Sequence, residues 1–149
     1  MTGSADNKYM MMALREAEIA ESKGEVPVGA IVVCRDRIIA RAHNLSETLN
    51  DPTAHAEMQA ITAASNALAG KYLDKCSLYV TLEPCIMCAG AIFWSRPGKL
   101  VYGASDKKRG YTLAGYPVLH KKTIVSAGIM EKECSEKIKN FFKSKREDL

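Results

Sequence analysis

The sequence predicts an α/β protein, a three-layer α/β/α domain around a central mixed sheet of about five strands. Three observations lead there. Short β-branched runs alternate with longer stretches of helical periodicity. The first two of those runs flank a tight polar turn, as a hairpin does. The overall order of helix, hairpin, helix, strand, helix, strand, strand, helix places helices on both faces of one sheet. A chain of 149 residues with 47% hydrophobic content has the size and the core for one such domain. It is read as residues 9–149 behind a flexible tail over 1–8.

The elements follow in order. Tyr9–Ser22 sets Met10, Ala13, Leu14 and Ala17 at helical spacing, and Lys23-Gly24 stops the helix. After Pro27, Val28–Val33 is β-branched, too short for a helix and apolar on both faces, as a buried strand would be. Arg35-Asp36-Arg37 is a turn, and Ile38–His43 is the second strand. Asn44–Pro52 is polar and irregular; Asp51-Pro52-Thr53 opens a helix that Thr53 can cap, running to about Leu68 and ended by Gly70. Ser77–Thr81 is a third strand, Cys85–Trp94 a helix introduced by Pro84, and Lys99–Gly103 a fourth strand. A loop with Gly110 and Gly115 leads to a fifth strand at Thr123–Ser126. The closing helix, Glu131–Lys145, carries Cys134, Ile138, Phe141 and Phe142 on its apolar side.

With 26% charged residues, the chain holds no apolar run approaching the ~18 residues of a membrane span. The opening stretch MTGSADNK lacks the apolar core of a secretory signal, so a reducing cytoplasm is the expected setting. Five cysteines (Cys34, Cys76, Cys85, Cys88 and Cys134) are an odd number without framework spacing and read as thiols or ligands. A net charge of +4 and a pI near 8.8 permit a phosphate-bearing partner without requiring one.

Cys85 and Cys88 stand at i and i+3 behind Pro84, so on the first turn of a helix both sulfurs face one side. A helix N-terminus also favours the thiolate that a metal needs. The same spacing serves a dithiol oxidoreductase, and the pair alone leaves both readings open. His55, in Ala54-His55-Ala56-Glu57, adds a nitrogen. One His and two Cys give zinc three of its four tetrahedral positions, leaving one for water, which is how catalytic sites differ from closed structural ones. Glu57 beside such a water can take its proton; by itself it would be an ordinary first-turn carboxylate. Cys76 precedes a strand that carries it away from Cys85 and reads, like Cys34 and Cys134, as a small buried hydrophobe. His43 and His120 read as surface or strand-end residues, with the lining of a substrate pocket as the alternative, and Ile92 and Trp94 as buried helix packing.

His55-x-Glu57 followed by Pro84-Cys85-x-x-Cys88 is the known signature of the zinc-dependent nucleobase deaminases. In detail the chain resembles the bacterial tRNA-specific adenosine deaminases. The matching segments are Glu25–Ala30 (EVPVGA), His43-Asn44, Asp51–Glu57 (DPTAHAE), Leu78–Cys85 (LYVTLEPC) and Met87–Ala91 (MCAGA), in that family's order. The likeness runs from about Tyr9 to Arg146. It implies a cytidine-deaminase-like fold, one zinc held by His55, Cys85 and Cys88, and Glu57 as the proton carrier in converting adenosine to inosine at the wobble position of a tRNA anticodon loop. It further implies a homodimer, with Asn44 and Ala54 at the target nucleotide.

Two segments depart from the family. Asp106–Gly115 (DKKRGYTLAG) replaces a loop rich in Gly, Ala and Ser, and Phe93-Trp94 resembles the bacterial guanine deaminases. Lys137, Lys139, Lys143, Lys145 and Arg146 interleave with Phe141 and Phe142, a composition that suits phosphates and stacked bases as well as a solvated amphipathic helix. Lys107, Lys108 and Arg109 form a second basic cluster. Lys107, Phe142, Lys143, Lys145 and Arg146 are therefore the candidate RNA contacts. The rival readings are a deaminase of free guanine, cytosine or a nucleoside, and a zinc-stabilised RNA-binding module with four protein ligands.

Overall fold

The computed structural model describes the chain from Thr2 to Glu147; Met1, Asp148 and Leu149, to which the expected tail and domain extended, lie outside the described residues. Helix α1 spans Thr2–Ser22, so the expected loose tail over 1–8 is corrected from its second residue onward. The reason is tertiary. Asp6 is buried, accepts a hydrogen bond from the Tyr79 hydroxyl at 2.7 Å and pairs with Lys99 at 2.9 Å. Those partners lie more than seventy positions away, so no local pattern announces them. Met10, Ala13, Leu14 and Ala17 are all buried, as their spacing required.

Strands β1 (Gly29–Cys34) and β2 (Arg37–His43) form the hairpin, with Arg35 and Asp36 at φ 53° and 61° making the left-handed two-residue turn that matches strand twist. Helix α2 runs Ala56–Leu68, β3 Cys76–Leu82, α3 Ile86–Ser95 and β4 Lys99–Ala104. A short 3-10 turn at Tyr111–Ala114 precedes β5 (Ile124–Ala127) and α4 (Glu131–Glu147). Two caps differ from expectation. Thr53 spends its amide and hydroxyl on the Asp51 carboxylate, at 2.9 and 2.7 Å, so His55 becomes the N-cap of α2; at the other end Ala69, not Gly70, turns left-handed.

The sheet order is β2-β1-β3-β4-β5, with β2, β1 and β3 antiparallel and β3, β4 and β5 parallel, which is the expected mixed five-stranded α/β sheet. Alternate residues feed opposite faces. Ile31 and Val101 pack with Tyr9, Met10 and Leu14 of α1 and Cys134 of α4. Val32, Leu78 and Leu100 pack with Ala60 of α2 and Ile92 of α3. Each fully buried aliphatic side chain contributes about 1.5–3 kcal/mol. Trp94 departs from its expected burial: it is 71% exposed, while Ile92 two positions earlier fills the interior. Among the described residues no helix is long and apolar enough to cross a membrane.

The register places the site. Ala30 pairs with Val80 and Gly29 with His43, so β1 begins, and β2 and β3 end, at the same edge of the sheet. The segments leaving β2 and β3 there carry the chemistry-bearing residues.

Candidate metal centre

His55 and Cys85 are the N-caps of α2 and α3, and neither makes a regular side-chain cap bond. A capping side chain ordinarily accepts from an N–H in the first turn; these two are left free to face each other. Cys88 follows one turn into α3 and is completely buried. His55 Nδ1 lies 3.6 Å from Cys85 Sγ and 3.5 Å from Cys88 Sγ, and all three ligand atoms fall within 4.8 Å of one another. A tetrahedral zinc with bonds of about 2.3 Å to sulfur and 2.0–2.1 Å to nitrogen has an N···S edge of roughly 3.6 Å. The donor set and its spacing therefore fit a zinc ion with one vertex unclaimed by protein. The Pro52 carbonyl accepts a hydrogen bond from the His55 side chain, the kind of support that orients a ligating imidazole.

The electrostatics are those of a place prepared for positive charge. The Cys88 thiol and the His55 ring draw Cys85 down to about 4 against the opposing effect of burial. Cys88 is pushed far up by Cys85 and by burial. His55 is raised, first by its bond to Cys85.

Glu57, on the first turn of α2, is 4% exposed and lies against the sulfurs. Burial, and to a lesser degree the Cys85 charge, lift it to about 7 over the opposing pull of its own N–H, His55 and Cys88. A carboxyl group in that range can exchange protons in either direction near neutral pH.

Asn44 and Ala54 are brought together at the rim: Leu45 N–H donates to the Ala54 carbonyl at 2.9 Å, and both Asn44 and Ala54 are buried. The Asn44 side-chain oxygen accepts from Ser46 N–H at 3.3 Å, while its amide nitrogen has no partner among the described residues. The basic candidates are less closely placed. Lys107 sits on the loop that returns to the site through a bridge between Gly110 and Cys85. Phe142, Lys143, Lys145 and Arg146 are exposed on α4, with no contact to the cluster among the described residues; Phe141 turns inward and Lys145 lies over its ring at 5.5 Å. Lys137 is drawn to Glu21 of α1 at 3.5 Å, so it belongs to the helix-helix contact. Cys76 opens β3 at the end opposite Cys85, and His43 bonds Glu16 at 2.9 Å.

Two carboxylates that sequence reasoning passed over hold this edge together. Glu25, fully buried, accepts from Glu47 N–H, Thr48 N–H and the Thr48 hydroxyl at 2.9, 2.6 and 2.6 Å, fixing the loop after Asn44. Glu83 accepts from Asp106 N–H, Thr112 N–H and the Thr112 hydroxyl at 3.1, 3.0 and 2.7 Å, fixing the loop that carries Lys107. A side chain at Gly110 would collide with the Glu83 carboxylate, so only glycine permits that close approach. The signal available was an acid one or two positions before a proline in an apolar run, which must find internal partners.

The MafB19-like deaminase family matches residues 4–146. The tRNA-specific adenosine deaminase of Aquifex aeolicus (strain VF5) is 48% identical over 145 residues, 95% of this chain and 96% of its own. A solved structure from studies of "A-to-I Editing by tRNA:A34 Deaminases at the Wobble Position of Transfer RNA" superposes with a TM-score of 0.82 at 43% identity, covering 87% of this chain and 98% of that one. The guanine deaminase of Bacillus subtilis superposes with a TM-score of 0.65 at 40% identity, over 73% of this chain and 69% of that one.

Proposed function

We infer, for a chain that belongs to the MafB19-like deaminase family, a single-domain enzyme that hydrolytically deaminates adenosine to inosine at the wobble position of a tRNA anticodon loop. The observation that carries this is the three-ligand triangle of His55, Cys85 and Cys88 with the buried Glu57 against it. A single zinc held by those residues would supply Lewis acidity, lowering the pKa of a water molecule. Glu57 then takes the water proton, delivers it to ring N1 of adenine, and later passes a proton to the departing ammonia. Its elevated pKa suits both directions of transfer. The free Asn44 amide and the Ala54 backbone orient the flipped nucleotide. Lys107, Phe142, Lys143, Lys145 and Arg146 hold the phosphates and splayed bases of the loop. The enzyme works in the cytoplasm as a homodimer.

A zinc-stabilised RNA-binding module would need a fourth protein ligand, and among the described residues the metal-holding group comprises three. The test is inosine formation in an anticodon stem-loop RNA with adenosine at the wobble position, with guanine, cytosine and adenosine assayed in parallel for ammonia. Inosine at that position, abolished by a chelator and restored by zinc, supports the reading. Ammonia from a free base with the RNA untouched would transfer the same chemistry to a small substrate.

A further inference from the structure

At the end of β3 remote from the metal centre, Cys76 stands directly opposite Cys34 across the antiparallel β1–β3 pair. Opposed residues of antiparallel strands point to the same face, so the two thiols meet rather than straddle the sheet. The pairing is of the closer kind. The Cys76 N–H donates to the Leu73 carbonyl at 2.9 Å and its carbonyl accepts from Gly98 N–H at 3.0 Å, so neither group turns toward β1. Such non-hydrogen-bonded pairs hold their Cα atoms about 4.5 Å apart, within the disulfide range of about 4.4–6.8 Å. Both side chains belong to the cluster on the α2–α3 face of the sheet. The Cys34 thiol also points at the Lys75 carbonyl, 3.6 Å away.

The pair is accessible from one side. Cys34 is half-buried and Cys76 buried, and both line a cavity of about 600 Å³ walled by Arg35, Arg37, Tyr72 and Lys75. Burial, followed by the neighbouring Cys34, pushes Cys76 up to about 12, which makes it the resolving rather than the attacking thiol.

We propose that Cys34 and Cys76 are a redox-responsive modification site, a cross-strand dithiol that hydrogen peroxide closes into a disulfide. The Cys34 thiolate attacks one peroxide oxygen, the O–O bond breaks, and a sulfenic acid forms with loss of one water. The Cys76 sulfur then displaces the sulfenic hydroxyl as a second water. Two thiols lose two electrons and two protons, and the peroxide is reduced. The bond would enclose the segment 34–76, which carries β2, Asn44, His55 and Glu57, and so brace that half of the molecule. The seven residues of β3 at ~3.3 Å each separate the thiol pair from the metal centre by roughly 20 Å, so the site itself is untouched.

The experiment treats the zinc-loaded protein with a modest excess of peroxide, alkylates the remaining thiols in denaturant, and maps the peptides. The expected result is a linked Cys34–Cys76 peptide, titratable thiols falling from the five in the sequence by two, zinc retained, and Tm raised by roughly 5 °C or more. Dithiothreitol should reverse all of it. Cys34→Ser, at the half-exposed partner, should abolish the linked peptide and the Tm shift. Alkylated Cys76 alongside a singly modified Cys34, or linkage accompanied by zinc loss, would overturn the proposal. The peptide map reads the same whichever substrate the enzyme takes.

Discussion

Glu57 and Glu25 are both carboxylates removed from water, 4% and 0% exposed, yet they end in opposite states. Burial raises each. At Glu57 its own N–H, His55 and Cys88 oppose burial without offsetting it, and the group rises to about 7. At Glu25 the Thr48 hydroxyl and the Glu47 and Thr48 N–H groups overcome burial and hold the carboxyl below its ordinary 4.5. Glu57 is the more heavily desolvated of the two and Glu25 the better supplied with donors, and the two effects together decide the charge. The under-supplied carboxyl can carry a proton; the saturated one can only hold a loop. Both occur within one edge of one sheet, so the contrast should survive substitution at either residue.

The largest effect should come from removing the exchangeable proton. Glu57→Gln keeps shape and burial and replaces an under-supplied acid with a neutral amide. Inosine formation should fall by about 10²–10⁴-fold or more, with zinc content, far-UV circular dichroism and Tm retained. A variant that keeps a tenth of the activity would break the comparison, because Glu57 would then be only a first-turn carboxylate.

The opposite signature is expected at Glu25. Glu25→Ala leaves two amide donors and a hydroxyl without their buried acceptor, a cost of roughly 2–3 kcal/mol, or about 5–10 °C in Tm for a chain of this size. The pH dependence sharpens this. A carboxyl lowered by folding contributes stability that is complete above its unfolded value, near 4.5, and is lost as pH falls through the lower folded value. The stability gap between wild type and Glu25→Gln should therefore be widest at neutral pH and narrow in acid, measured by urea titration from pH 7 to pH 3. A gap independent of pH would mean that the loop is held by shape rather than charge.

The same contrast explains what could be read in advance. The five strands, the hairpin and the pairing of Cys85 with Cys88 were legible because period, turn chemistry and i, i+3 spacing are local; His55, thirty positions earlier, was legible only through its chemistry as a third zinc ligand. Two features depended on distant partners: the helical start at Thr2, secured through Asp6 on Tyr79 and Lys99, and the anchoring by Glu25 and Glu83. The loss of Thr53 as a cap is local, because Asp51 two residues earlier takes its hydroxyl. Trp94 failed differently. The periodicity of α3 assigns the core to Ile92 and leaves Trp94 on the outer face, so residue type misled where spacing would not have.

The smallest effect should appear at Glu83, where the anchoring carboxylate stands immediately before the metal-binding turn. Its donors all come from Asp106–Thr112, and Tyr111 N–H donates back to the Pro84 carbonyl at 2.9 Å, so the basic loop and the Cys85 turn are tied at adjacent residues. Glu83→Gln turns an N–H toward donors that expect an oxygen, which should loosen the loop while leaving His55, Cys85, Cys88 and Glu57 in place. Losing about 1 kcal/mol of loop order corresponds to a KM for the stem-loop RNA raised about fivefold, with kcat within twofold. If kcat fell while KM held, Glu83 would be acting through Cys85 on the metal centre. The saturated carboxylates would then not be purely anchoring groups, and the division between proton carrier and loop anchor would have to be redrawn at the Glu83-Pro84-Cys85 turn.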